Sequence, residues 1–240
     1  MILDGPRGSE EAGMAVISHG IKHLALAVLG RRTLRAVRFD LLRLRTRLLG
    51  RRRNLVPSAP LLHLGCGARR VPGFLNVDVV ASEHDVDLGG GKLPWVSASF
   101  EAVVAQQVIE HLELESELMP LLREIVRVLA PGGQAWLACP DMERVCRSYL
   151  ADGGESLLAD RVKRWPSFEL RTPSQHMVNE VFHQSGEHVN LFDFALLSWV
   201  LRQAGFTAVR RVTEQDLLER FPQFPVRSDD EFGLYVCATR

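Results

Sequence analysis

The sequence lacks the features that mark disulfide-rich, zinc-binding and membrane-spanning proteins. Its four cysteines are scattered along the chain: Cys66, Cys139, Cys146 and Cys237. Because no two of them form a C-x-x-C pair, they predict neither a disulfide framework nor a cysteine zinc site. The best candidate for a membrane span, residues 14–29, has fewer than 18 residues and is interrupted by His19, Lys22 and His23. No transmembrane helix is therefore expected.

A secretory signal peptide is not expected either. Asp4, Glu10 and Glu11 stand where such a peptide has basic residues, and no small-residue cleavage site follows the apolar stretch. The sequence therefore predicts a cytoplasmic protein with reduced cysteines.

The chain has no net charge, with 29 Lys and Arg residues against 29 Asp and Glu residues. This zero is an average over two different parts. Residues 1–60 hold 12 basic and 4 acidic residues, a balance of +8, and residues 61–240 carry the opposite balance of −8. Such asymmetry is typical of a basic segment that contacts a partner, a lipid surface or a nucleic acid.

The basic part predicts an amphipathic helix ahead of the main domain. Its apolar residues recur at spacings of three and four, and arginines occupy another face: Leu34, Val37, Leu41, Leu44 and Leu48 form the stripe. Gly50 ends the pattern, so we predict a helical extension over residues 1–56. Residues 15–53 could pack on the main domain, bind a partner protein, lie on the inner face of a membrane or contact RNA, and the pattern leaves these alternatives open.

Residues 57–240 alternate between strand and helix signals. Strands are predicted at residues 61–64, 74–80, 85–88, 100–105, 135–139, 206–212 and 232–239, and helices from about residue 108 and at 117–129, 155–163 and 192–204. The rest of 140–190 is expected to be irregular. This alternation predicts a single α/β domain with a doubly wound, mostly parallel, seven-stranded sheet.

In such a sheet, ligands bind beyond the carboxyl ends of the strands. The first strand ends in Gly65-Cys66-Gly67, where glycines let the backbone approach a ligand closely. A nicotinamide dinucleotide fingerprint would need a third glycine at position 70, which is Arg70, and this argues against a dehydrogenase. Asp78, at the end of the second strand, is placed to accept hydrogen bonds from ribose hydroxyls or to cap a turn.

Several motifs follow one another in a known order. They are LHLGCG at residues 62–67, PGFLNVD at 72–78, VIEHL at 108–112 and LREIVRVLAPGG at 122–133. In this order and at this spacing they resemble the class I, Rossmann-like methyltransferases that use S-adenosylmethionine. Only ten residues separate Gly67 from Asp78, so the first helix of the usual pattern is nearly absent. This short form resembles methyltransferases of cell-envelope and glycan pathways.

The resemblance implies S-adenosylmethionine as cofactor and assigns a role to residues at each strand end. The loop Gly65-Cys66-Gly67 lines the methionine part of the cofactor, and Asp78 holds the ribose hydroxyls. Asp87 accepts a hydrogen bond from the adenine amine, and Leu88 flanks the adenine. Ala105 and Gln106 border the methionine and the transferable methyl group.

An acceptor hydroxyl would need a general base, and histidine is the usual choice near neutral pH. His183 and His188 lie in the segment where this family builds its acceptor site, and we predict one of them as the base. His111 lies near the predicted methyl site but is expected to cap or pack a helix. No metal site is expected, because H-x4-H with scattered carboxylates has no characteristic ligand spacing.

The sequence therefore predicts an enzyme that transfers a methyl group from S-adenosylmethionine to oxygen or nitrogen of a small-molecule or glycan-like acceptor. One alternative is a subunit of the same fold that binds the cofactor without turnover. Another is an RNA methyltransferase that grips phosphates with the basic extension. The acidic main domain and the absence of an N/D-P-P-[YF] tetrapeptide after the fourth strand argue against nucleic acid.

Overall fold

The computed structural model describes residues 30–49, 54–166 and 172–240. The chain divides into two compact units, one that ends at Arg45 and one that spans Thr46–Arg240. Helix α1, Arg31–Leu49, confirms the helix predicted for the basic part. Most of the rest of the extension lies outside the described residues, so its partners and the domain boundary at residue 57 stay predictions. Within the described residues, no helix is long and apolar enough to cross a membrane.

Seven strands form one sheet, as predicted. They are β1, Leu61–Leu64; β2, Leu75–Asp78; β3, His84–Asp85; β4, Phe100–Gln106; β5, Leu129–Pro140; β6, Ala208–Val212; and β7, Gly233–Thr239. Their order is β3-β2-β1-β4-β5-β7-β6. All neighbouring pairs are parallel except those of β7, which runs antiparallel to both β5 and β6.

The sheet is buried on both faces, which explains its near-continuous apolar strands. Alternate residues of β4 belong to different cores, since Val103 packs in one cluster and Val104 in the other. The first cluster also contains Leu62, Leu64 and Phe100, none of which is exposed to solvent. The two-sided core holds the strands in register and so fixes the edge where the strands end.

Seven α-helices are present among the described residues. After α1 they are α2, Met119–Val128; α3, Met142–Asp152; α4, Glu155–Arg164; α5, Gln175–His183; α6, Phe194–Ala204; and α7, Glu214–Arg220. Helices α2, α4 and α6 confirm predicted helices. Helix α7 was not predicted.

Two sequence predictions are wrong. A helix starting near residue 108 is replaced by a 3₁₀ turn, Ile109–His111, and a π-helical turn, Leu114–Leu118. The segment 140–190, expected to contain one helix, contains α3, α4 and α5. These polar helices are stabilised by a small core of their own, in which Val145, Leu157 and Met177 are buried.

Candidate functional site

The site is built where three neighbouring parallel strands end together. Leu64 of β1 is in register with Val77 of β2 on one side and with Ala105 of β4 on the other. The residues that follow, Gly65 and Asp78 among them, therefore meet at one edge of the sheet. This is the edge at which ligands bind in open α/β sheets.

The loop after β1 needs its glycines. Gly65 has a φ of +66°, and a Cβ atom there would lie 2.2 Å from Cγ2 of Val108. Gly67 also has a positive φ, +51°, but a Cβ atom there would meet nothing within 4 Å. Between them Cys66 is buried, and burial raises the pKa of its thiol. The loop is thus held tightly at Gly65 and opens to solvent at Gly67.

Asp78 fixes this loop to the end of β2. Its Oδ2 atom accepts a hydrogen bond from the Gly67 amide at 2.8 Å, and its Oδ1 atom accepts one from the Val79 amide at 2.6 Å. The carboxylate is half-buried. A carboxylate oxygen can accept more than one hydrogen bond, so Asp78 retains capacity for a ligand at this edge.

Asp87 and Leu88 are brought to the same edge, beyond β3. Leu88 is buried and begins a 3₁₀ turn, Leu88–Gly90, which Asp87 precedes. The Asp87 carboxylate is buried and forms an ion pair with Arg47, from the last turn of α1. Next to it, the hydroxyl of Thr46 donates to the carbonyl of Val79 at 2.8 Å. Sequence reasoning missed Arg47, because an arginine-rich helix gives no signal that singles out one of its arginines.

Ala105 and Gln106 end β4, and both are buried. The next residue, Gln107, has a left-handed φ of +58°, and its amide donates to the carbonyl of Ala138 at 2.7 Å. This turn directs the chain away from the sheet and into Ile109–His111. Glu110 and His111 therefore lie four and five residues after Gln106, one of the residues predicted to border the methyl group.

The two histidines predicted as general bases lie in different surroundings. His183 is the last residue of α5 and is exposed. His188 is half-buried, its Nδ1 atom lies 2.5 Å from the carbonyl oxygen of Val181, and its ring packs on that of His111 with centroids 4.9 Å apart. Burial lowers the pKa of His188. Only His188 therefore approaches the segment that follows β4.

Glu110 was not singled out by sequence reasoning. Its side chain is 1% exposed, and neither carboxylate oxygen has a hydrogen-bond partner among the described residues. Burial raises the pKa of Glu110 to about 8. Glu110, His111 and His188 each bring one ligand atom to within 4.8 Å of the others, and we call them the Glu-His-His cluster.

Asp141, which follows β5, has a structural role at this edge of the sheet. Its carboxylate is fully buried, caps α3 by accepting from the Glu143 amide at 3.1 Å, and forms an ion pair with Arg211 at 3.0 Å. Helix α3 is thereby tied to β6. The carboxylate is satisfied by these partners and explains the start of the helix that the sequence did not predict.

The comparisons with known proteins agree with this fold. A family model described as a methyltransferase domain matches residues 79–137, which includes Asp87, β4 and Glu110. No curated protein sequence matches the chain.

Similar solved structures include S-adenosylmethionine-dependent methyltransferases from Thermotoga maritima (19% identical, TM-score 0.44, covering 77% of this chain and 84% of that one) and Mesorhizobium loti (15%, 0.42, 77% and 92%). A third is phosphoethanolamine N-methyltransferase 2 of Haemonchus contortus in complex with S-adenosyl-L-methionine (14%, 0.41, 80% and 51%).

These likenesses are distant, and the family model together with the observed strand order is the stronger finding. The model covers the strands and loops of one side of the site, and the antiparallel β7 between β5 and β6 completes the seven-stranded sheet expected for this fold. The described residues therefore have the seven-stranded sheet of the class I methyltransferase fold, and residues 79–137 match a methyltransferase domain.

Proposed function

We propose that the protein transfers the methyl group of S-adenosylmethionine to oxygen or nitrogen of a small-molecule or glycan-like acceptor. The observation that carries this proposal is the hydrogen bond between the Gly67 amide and the Asp78 carboxylate at 2.8 Å. It joins the glycine loop after β1 to the acidic end of β2, the two elements that the family resemblance assigns to the methionine and the ribose.

The remaining residues of the edge fit the cofactor in the same order. The close approach of Val108 to Gly65 leaves room only for backbone there, whereas a Cβ atom at Gly67 would meet nothing within 4 Å, so the loop is open at Gly67. We propose that Gly65, Cys66 and Gly67 line the methionine part and that Asp78 accepts from the ribose hydroxyls. Asp87 and Leu88 then flank the adenine, and Ala105 and Gln106 border the reactive end.

The bound cofactor supplies a methyl group that is already activated by its sulfonium. The protein's own task is to align an acceptor with that group and to exclude water. The segment after β4 is placed for this task, because Ile109 and Glu110, three and four residues beyond Gln106, are buried. Of the two histidines predicted as bases, His183 is exposed and lies outside the Glu-His-His cluster. We therefore retain only His188 as a residue that faces the acceptor.

Calorimetric titration of S-adenosylmethionine into the full chain tests the proposal. We expect one molecule of cofactor to bind per chain. A flat titration with correctly folded protein would overturn the proposed function, because no methyl transfer of this kind can proceed without the donor.

The ion pair between Arg47 and Asp87 gives a second expected result. If Asp87 accepts from the adenine amine, its pairing with Arg47 competes with the cofactor. Arg47 is about half exposed, so the pair is worth at most about 1 kcal/mol. Arg47→Ala should therefore tighten cofactor binding by up to about fivefold.

Arg45→Ala, which removes a second arginine from the same helix, should leave the affinity unchanged in the same titration. Weaker binding by Arg47→Ala would instead mean that Arg47 positions Asp87 for the cofactor.

For the basic segment 15–53, we propose contact with a partner protein or with the inner face of a membrane. The +8 balance of residues 1–60 supports attraction to an acidic surface. The −8 balance of the remaining residues makes a nucleic-acid acceptor a poorer fit.

A further inference from the structure

The Glu-His-His cluster joins two segments that are far apart in sequence. The amides of Val189 and Asn190 donate to the backbone carbonyl of Glu110 at 2.9 and 3.1 Å, and the side-chain amide of Asn190 donates to the carbonyl of Leu112. These bonds fix the His188 segment against the turn that carries Glu110 and His111. The three side chains therefore meet as a consequence of the fold.

Hydrogen bonds to backbone carbonyls set the tautomers of both histidines. Nδ1 of His188 lies 2.5 Å from the carbonyl oxygen of Val181, and Nδ1 of His111 lies 3.1 Å from that of Glu187. A carbonyl oxygen only accepts, so each Nδ1 atom carries the proton and donates it. In the neutral rings, both Nε2 atoms then present a lone pair. A metal-binding histidine is typically held in this way, through a second nitrogen that donates to a carbonyl.

With Glu110 ionised, the side-chain atoms of the cluster that are left without a partner are therefore acceptors. Both oxygens of Glu110 and Nε2 of His188 are buried and have no hydrogen-bond partner among the described residues. Buried polar atoms are rarely left without a partner, because the loss of water costs about 1–3 kcal/mol for each group. With Glu110 ionised, these acceptors cannot satisfy one another, and a cation between them would satisfy all three side chains at once.

We propose that Glu110, His111 and His188 bind a divalent transition-metal ion such as Zn²⁺. Two imidazole nitrogens and one carboxylate are a common ligand set for zinc with an open position. The ligand atoms lie within 4.8 Å of one another, whereas tetrahedral bonds of about 2.1 Å place them about 3.4 Å apart. Side-chain rotations that move the ligand atoms by about 1 Å would bring them to this spacing.

The site also narrows the class of acceptor, a step that rests on the proposed function. Glu110 and His111 of the cluster lie four and five residues after Gln106, which with Ala105 borders the reactive end of the cofactor in our proposal. An open coordination position there suits an acceptor with an oxygen donor, such as a hydroxyl, whose pKa the ion would lower. His188 then acts as a ligand, and the general base predicted from the sequence is not required.

Cobalt(II) is the probe for the test, since its visible absorption reports ligation by nitrogen and oxygen. The full chain, stripped with chelator and free of added cofactor, is titrated with Co²⁺. We expect one equivalent to bind with a change in the visible spectrum. His188→Ala and Glu110→Gln should each weaken binding by at least about 100-fold, more than the loss of an outer-shell partner typically causes.

His183→Ala is the matched control, because it removes a nearby histidine outside the cluster and should bind Co²⁺ like the wild type. If His188→Ala fails to fold, His111→Gln replaces it, with far-ultraviolet circular dichroism as the check. No spectral change in the wild type would overturn the site. Equal binding by His188→Ala and His183→Ala would also overturn it and would mean an adventitious ion only.

Separate titrations with S-adenosylmethionine distinguish this proposal from the proposed function. Cofactor binding without Co²⁺ binding would overturn the metal site alone and return His188 to the role of a free base. Co²⁺ binding without cofactor binding would support the metal site and overturn the function.

Discussion

Replacing Asp78 with Ala is expected to weaken the binding of S-adenosylmethionine by about 100-fold or more. The carboxylate is proposed to accept from the ribose hydroxyls, and a hydrogen bond to a charged group is worth about 1.5–3 kcal/mol. Loss of two such bonds corresponds to about 3 kcal/mol or more, and each 1.4 kcal/mol is a factor of ten in the dissociation constant. The substitution also frees the Gly67 amide, whose partner in the structure is Asp78.

Calorimetric titration of the full-length variant measures this effect. Asp85→Ala is the matched control, because Asp85 is in register with Asp78 on the neighbouring strand β3 and accepts hydrogen bonds from Ser82. We expect the Asp85 variant to bind like the wild type. Equal affinities for the wild type and Asp78→Ala would show that Asp78 has no part in cofactor binding.

The metal-free protein is expected to lose stability as the pH rises through neutrality, because of Glu110. Burial raises the pKa of Glu110 to about 8, against 4.5 for an exposed glutamate. Between these values the folded protein holds a proton that the unfolded chain has released. The free energy of unfolding therefore falls as the pH rises from about 4.5 to about 8, by at most about 5 kcal/mol. Below this window both states are protonated, and above it both are ionised.

Urea unfolding in chelator at pH 5, 6, 7 and 8 measures the effect. Glu110→Gln cannot ionise, so it should lack this slope and should be more stable than the wild type at pH 8. The exposed Glu113, three residues further on, offers the control, since Glu113→Gln should keep the slope of the wild type. Parallel profiles for the wild type and Glu110→Gln would contradict a buried, protonated Glu110.

Much of the fold could be predicted because its strands are short apolar runs that end in turn residues. Leu61–Leu64 is correct to the residue, and β2 is only shorter than expected, because pairing stops at Asp78. Helices α3 and α5 escaped prediction because the small core of this segment uses few apolar residues, although Asp141 and Gly153 are ordinary capping residues for α3.

The site was predictable only in part, for a different reason. The strand-end rule and the motifs identify Gly65, Gly67 and Asp78, since each follows a strand directly. No such rule brings His188 to Glu110, because their contact depends on loop bonds such as that between the Asn190 amide and the Glu110 carbonyl. The VIEHL motif contains two of the three residues of the Glu-His-His cluster. Its glutamate could not be recognised as buried, because an exposed and a buried glutamate look the same in a sequence.

The position of β7 has a consequence for synthesis of the chain on the ribosome. Residues 233–239 are inserted between β5 and β6, which come earlier in the chain. The ribosome adds about 5–20 residues per second. For a second or more, β6 has therefore been translated while β7, which joins it to the sheet, has not. Until β7 arrives, β5 presents an open edge that can pair with another nascent chain. This last strand therefore seals the sheet, and premature termination before it would leave a polypeptide prone to aggregation.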